Sequence, residues 1–169
     1  MAKPLPIDYP GYWHTYIKLV PEENLAEAFN KQTPIMRSFF SSISEEKSNF
    51  RYAPDKWTIK EVLQHVIDSE RIFGYRALSF ARKEQAHLPG FEEKDYAKNS
   101  NANSRSWQSL ANEFLIVRQS THSLFNSFTD EMLASDGIAN NLKLNVTGFG
   151  FLLIGHFYHH KKIVEERYK

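Results

Sequence analysis

His156, His159 and His160 fall within five positions in the stretch GHFYHHKKI, residues 155–163, of a chain that has seven histidines in all. Imidazole can move protons near neutral pH and can ligate a divalent ion, so the face each ring occupies decides what the cluster can do. Counting from Phe149 in steps of three and four gives Leu153, His156, His160, Ile163 and Arg167. Two histidines therefore share an otherwise apolar helical stripe, one turn apart, with Cβ atoms about 5–6 Å from each other. His159 falls on a different line with Leu152, Gly155, Lys162 and Glu166. It is expected to turn toward solvent, beside the i,i+4 pairs Lys161–Glu165 and Lys162–Glu166.

An HxxxH pair alone also describes two core histidines hydrogen-bonded to their neighbours. A third inward ring changes the balance. His65 lies in EVLQHVIDSERIF with Val62 and Ile72 at i−3 and i+7, on the border of an apolar face. Three buried rings each need a partner, and one ion serves all three. The chain has no cysteine, which excludes disulfides, thiolate sites and cysteine nucleophiles, and leaves histidine and carboxylates as the strong ligands. His65, His156 and His160 are thus the candidate ligands of a divalent metal. Zn²⁺ and Ni²⁺ are the expected ions, although Co²⁺ and Fe²⁺ also accept imidazole. Asp68, one turn after His65, is either an acceptor for that ring's free N–H or a solvated helix charge. Arg76 continues along roughly the same side, and a structural salt bridge is its expected role, with binding of an anionic substrate as the alternative. His14, His87 and His122 read as surface or second-layer residues.

Helices must position these groups. From Glu22, the residues Leu25, Ala28, Phe29, Ile35, Met36, Phe39 and Phe40 keep helical spacing, with Pro34 expected to interrupt or kink the run. In KWTIKEV, Thr58 and Glu61 form a capping box, and Trp57 and Val62 take the staple positions. That helix is predicted to run to about Arg82. A long loop follows, and Ser104 or Ser106 caps a third helix carrying Trp107, Leu110, Phe114, Val117, Thr121, Leu124 and Phe128. After a second long connection, Thr147 is expected to cap a last helix ending near Arg167. Four amphipathic helices with long connections predict an all-α protein, a four-helix bundle with crossover loops. Residues 1–20 read as an aromatic, proline-rich arm laid on a single bundle domain of residues 21–169.

Composition narrows the function classes. With 41% hydrophobic and 24% charged residues in 169 positions, the chain suits one globular domain with a substantial core. Twenty-one Lys and Arg against twenty Asp and Glu leave a net charge of +1, with no basic stripe for nucleic acid. No segment approaches the roughly 20 apolar residues of a membrane span. A cytoplasmic location without membrane association is expected. No Ser-His-Asp arrangement or phosphate-cradling glycine loop is visible, and TGFGF lacks the strand context of a dinucleotide turn.

The stretches YAPDKWTIKEVLQHVIDSERIFGYRAL, LPGFEEKDY and GHFYHHKKIVEERY, in this order and spacing, resemble the DinB/YfiT-like superfamily of metalloenzymes. The resemblance covers about residues 22–168. It implies a four-helix bundle holding a divalent metal through one histidine of the second helix and an HxxxH pair of the fourth. Those positions correspond to His65, His156 and His160. The activities it implies are metal-dependent hydrolysis, or transfer and isomerisation using a low-molecular-weight thiol on a small-molecule substrate. A binding module without turnover, on the same bundle, is the alternative. Phe157 departs from the family pattern, where glutamate is common, but is expected to face away from the ion. Homodimers are common in such families, and the arm aromatics Tyr9, Tyr12, Trp13 and Tyr16 can serve that interface or pack on their own bundle.

Overall fold

A computed structural model describes residues 2–5 and 11–169. The elements are α1 (Gly11–Ile17), α2 (Leu25–Ser41), α3 (Glu45–Ser48), α4 (Ile59–Ala81), α5 (Glu93–Asn99), α6 (Trp107–Asn126), α7 (Asp130–Ala134), β1 (Asp136–Ala139), β2 (Leu142–Asn145) and α8 (Val146–Arg167). The four long helices α2, α4, α6 and α8 form the bundle. α4 packs on α6 and α8, and α2 packs on the same two, so α2 and α4 take opposite corners, as do α6 and α8. The connections between diagonal helices are the crossovers. Among the described residues, no helix is long and apolar enough to cross a membrane.

Local chemistry sets the helix starts. The capping box forms as expected: Thr58 Oγ1 accepts from Glu61 N, and Glu61 Oε2 accepts from Thr58 N at 2.7 Å. Ser106 caps α6, its hydroxyl accepting from Ser109 N. The expected cap of α8 is displaced by two residues. Asn145 Oδ1 accepts from Gly148 N, while Thr147 Oγ1 donates to Leu133 O at 2.9 Å, across to α7. Pro34 does not interrupt α2, which runs through it. Gln32, Met36, Phe39 and Phe40 on either side of the proline are buried, and that burial outweighs the roughly 3 kcal/mol cost of an internal proline.

The connection before α8 is not a plain loop. Residues 136–145 form a β-hairpin in which Asp136 pairs with Asn145 and Ala139 with Leu142. Asn140 and Asn141 turn it with φ of 51° and 59°, the left-handed pair that a two-residue type I′ turn requires. Leu88 lies alongside: its N–H donates to Ile138 O at 2.9 Å, and its carbonyl accepts from Asn140 N at 3.0 Å. The hairpin thereby anchors the long connection that carries α5.

The core is two apolar clusters with a polar belt between them. On α2, Gln32 separates Phe29 from Met36; on α4, Glu70 separates Ile67 from Ala77. On α6, Arg118 separates Phe114 from Phe125, and on α8, His156 separates Ile154 from Phe157. The belt is closed by hydrogen bonds. Arg118 binds Glu70 in a fork, with Nε to Oε1 at 2.7 Å and Nη2 to Oε2 at 2.8 Å. Arg118 also donates to Gln32 Oε1 and, at 3.2 Å, to Leu153 O. Gln32 Nε2 donates to Ile154 O at 2.8 Å. All four long helices meet in this one network.

The described part of the N-terminal arm packs on the bundle through α1, which lies against α8 with Trp13 and Ile17 buried. Tyr9 lies outside the described residues, and Tyr12 is exposed. Close approach is possible because residue 155 is glycine. A Cβ there would stand 2.1 Å from the Tyr16 carbonyl oxygen. Backbone cannot yield as a side-chain tip can, so Gly155→Ala is expected to push α1 off α8 while leaving the bundle folded. The check is protease cleavage near Tyr12–Tyr16, faster in the variant, with an α-helical circular dichroism spectrum close to wild type.

Candidate metal centre

His65 is placed by the capping box, which sets the start of α4 two turns before it. His156 and His160 follow each other by one turn on α8, the helix that α1 and α4 enclose. The facing inferred from periodicity is what the structure shows: these three rings converge. His156 Nε2 lies 3.2 Å from His65 Nε2 and 3.1 Å from His160 Nε2. The ligand atoms of all three lie within 4.8 Å of one another. Two nitrogens on a tetrahedral zinc ion, each about 2.0–2.1 Å from it, stand about 3.3 Å apart, so the observed spacing suits a shared cation.

The donor chemistry fits as well. An imidazole nitrogen has one in-plane position, carrying either a hydrogen or a lone pair. His156 Nε2 therefore cannot make good hydrogen bonds to both neighbours at once. One cation facing three lone pairs removes that conflict. Burial favours the neutral, ligand-competent rings. It pushes His65 down to about 4, with repulsion from His159 adding to the effect. Burial first, then the neighbouring histidines, holds His156 and His160 well below the ordinary value.

In metal-free protein the sign of the pH effect follows. Below the ordinary 6.5, unfolded imidazoles take up protons that the folded rings refuse, His65 until about 4. The unfolded chain binds more protons in this window, so the histidines' contribution is complete above 6.5 and lost as pH falls through the window. Each histidine accounts for up to about 1.4 kcal/mol per pH unit. Urea unfolding of EDTA-treated protein at pH 7.5 and pH 5 checks this, and His65→Asn should reduce the slope by one histidine's share.

The surroundings were only partly anticipated. His159 is half-buried rather than solvent-facing; its ring meets that of Tyr16 at 5.0 Å and stays outside the triad. Phe157 turns to the opposite side and stacks on Phe114 at 5.6 Å. His122 stacks on Phe29, and His87 is exposed. Asp68 accepts a hydrogen bond from Gln64 Nε2 at 2.9 Å instead of orienting His65. Arg76 has no carboxylate in ion-pair range among the described residues; its Nη2 donates to Pro89 O at 2.7 Å.

Two groups near the triad have no sequence signal of their own. Glu93, at the start of α5, brings Oε2 to 3.9 Å from His65 Nε2, on the nitrogen that faces the triad. With His65 neutral above about 4, this contact is not an ion pair at neutral pH. Tyr16 of α1 sets its ring edge-on to His156 at 5.4 Å and shares a hydrogen bond with the Tyr12 hydroxyl at 3.0 Å. Burial, then Tyr12 and the charge of Glu93, push the Tyr16 hydroxyl far above the usual tyrosine range, so it stays protonated. A cavity of about 290 Å³ opens onto His65 and His156, with Tyr16, Glu93 and Arg76 in its walls.

Three imidazoles converging from two helices of a four-helix bundle, beside a small cavity, are a donor set that could hold a metal ion. The sequence matches the profile of the DinB superfamily over residues 28–164, and the chain belongs to that family. The fold is similar to that of YfiT from Bacillus subtilis, with a TM-score of 0.70 at 14% identity, covering 96% of this chain and 95% of that one. That protein is described as a probable metal-dependent hydrolase with an unusual four-helix bundle topology. No curated protein matches the sequence.

Proposed function

We propose that the protein is a metal-dependent enzyme acting on a small molecule, with His65, His156 and His160 holding a Zn²⁺ or Ni²⁺ ion. The observation that carries this reading is the convergence of three neutral Nε2 atoms at 3.1 and 3.2 Å steps. Bound by three uncharged ligands, such an ion keeps its full charge and an open position, where it acidifies water for hydrolysis or a thiol for transfer. Glu93 is the carboxylate placed to take the proton released there. Tyr16, held protonated, offers an O–H donor beside His156. The arm helix, α5 and the hairpin contribute walls of the cavity, which has room for a small substrate. The likeness of fold to a protein described as a probable metal-dependent hydrolase supports hydrolysis as the first chemistry to test.

Metal analysis of protein purified without an affinity tag is the first test, with one equivalent of divalent metal expected. Failure to take up either Zn²⁺ or Ni²⁺ stoichiometrically would remove the reading. The second test is a screen of ester, amide and thiol-plus-electrophile substrates. Glu93→Gln is expected to keep the metal and lose about 10²-fold or more in turnover, the range of a general base. Unchanged turnover would assign proton transfer elsewhere.

A further inference from the structure

One face of α4 runs the length of the cavity. His65, Ser69, Phe73 and Arg76 follow each other at steps of four, four and three, and all four line it. The face has a chemical polarity. At one end lie the histidines with Glu93 beside them; at the other lies a guanidinium.

Two observations along this face point to a ligand. The first is a buried cation without a counter-ion among the described residues. Arg76 is 4% exposed, and among the described residues its only hydrogen bond is to the Pro89 carbonyl, a neutral acceptor. Its remaining charge rests over the rings of Phe73 and Phe91, at 5.6 and 6.0 Å. Glu92 and Glu93 line the same cavity, yet neither comes into ion-pair range of it. Burying a guanidinium this way is costly unless something else pairs with it. The second is Ser69, 1% exposed, whose Oγ has no hydrogen-bond partner among the described residues although it borders the cavity. Buried hydroxyls are normally satisfied, and a helical serine commonly bonds its own backbone. This one does not.

We propose that the Arg76 end of the cavity is an anion subsite, taking a carboxylate at the end of the substrate remote from its reacting group, with Ser69 bonding the substrate between the two. Resting on the metal reading only for which end reacts, this names the substrate class as a small, elongated carboxylic acid derivative. Guanidinium matches a carboxylate in shape and charge, and Phe73 offers an apolar surface to the chain between. Eleven residues of helix rise about 16 Å, and Arg76 folds back over Phe73, so the two ends are roughly 10 Å apart. The cavity volume of about 290 Å³ sits at the lower end of the usual ligand range.

The probes are ω-carboxyalkyl hydroxamic acids with three to six methylenes, each compared with its terminal carboxamide by calorimetry. Acetohydroxamate serves as the tail-less control. Wild-type protein is expected to prefer the carboxylate by about tenfold or more at the best length. Arg76→Gln keeps a donor for Pro89 O without the charge and should abolish the preference; Arg76→Lys should retain part of it. Ser69→Ala should weaken both probes of a pair alike at an unchanged or higher melting temperature, because the hydroxyl it removes is unpaired. EDTA-treated protein should bind all probes more weakly yet still prefer the carboxylate. Wild-type protein that takes up neither Zn²⁺ nor Ni²⁺ yet prefers the carboxylate would overturn the metal reading and leave the subsite standing. Tight acetohydroxamate binding without any carboxylate preference, or a preference undiminished in Arg76→Gln, would overturn the subsite and leave the metal reading intact.

Discussion

His156→Ala is expected to abolish stoichiometric binding of Zn²⁺ or Ni²⁺, and His160→Ala to do the same, while His159→Ala binds at the wild-type level. His156 stands between the other two rings, so its loss leaves His65 and His160 without the nitrogen that lies about 3 Å from each. Two imidazoles from different helices make a poor site, and removing a direct ligand should cost more than the 10–100-fold typical of outer partners. His159 differs from His160 by one residue, about 100° of helix rotation, and its ring is spent against Tyr16 at 5.0 Å. Metal content by inductively coupled plasma spectrometry, on variants matched for helicity, gives the answer. A loaded His160→Ala beside a metal-free His159→Ala would mean that the helix presents the other ring.

Removing one side of the central ion pair should have the largest effect on stability. Glu70→Ala leaves Arg118, 3% exposed, without its carboxylate in the middle of the bundle. The expected loss is about 3–5 kcal/mol, because the remaining charge stays buried and unpaired. The double variant Glu70→Leu/Arg118→Met should recover most of that loss, since a buried pair replaced by apolar groups of similar volume is often neutral. Urea unfolding of Glu70→Leu, Arg118→Met and the double variant closes the cycle. The same network touches the histidine triad. Arg118 and Gln32 hold the carbonyls of Leu153 and Ile154, just before His156 in the chain. A Glu70→Ala protein that still folds should therefore also bind metal more weakly. An additive double variant, with each single change costing less than 1 kcal/mol, would contradict the network's central role.

Much of this architecture was legible in the residues because the forces involved act within a few positions. The Thr58–Glu61 capping box and the Ser106 cap are made by groups three residues apart. The 3.6-residue repeat that puts His156 and His160 in the stripe of Phe149 and Leu153 is equally local. Facing follows from periodicity, and the one remaining step, that His65 meets them, needs only the two apolar faces to pack together.

What the sequence alone left open or placed wrongly was decided by packing or by a competing partner. Thr147 would cap α8, but Leu133 O captures its hydroxyl, and Asn145 caps instead. Pro34 would break α2, but the buried side chains flanking it hold the helix together. Asp68 stands one turn from His65, yet Gln64 reaches it first, with Arg105 in turn on the Gln64 amide oxygen at 2.9 Å. Arg76 reads as a salt-bridging residue until the connection through Pro89 folds over it and offers only a carbonyl. Glu93 is 28 positions from His65 and gains its place from the packing of α5 on α4 and from the Leu88 hydrogen bonds to the hairpin, which anchor the connection that carries α5. The sequence by itself determined the four long helices and the three inward imidazoles, since spacing along one helix sets direction. The tertiary structure decided which charged groups surround those imidazoles, since a carboxylate or guanidinium takes whichever partner the packed chain brings within about 3 Å.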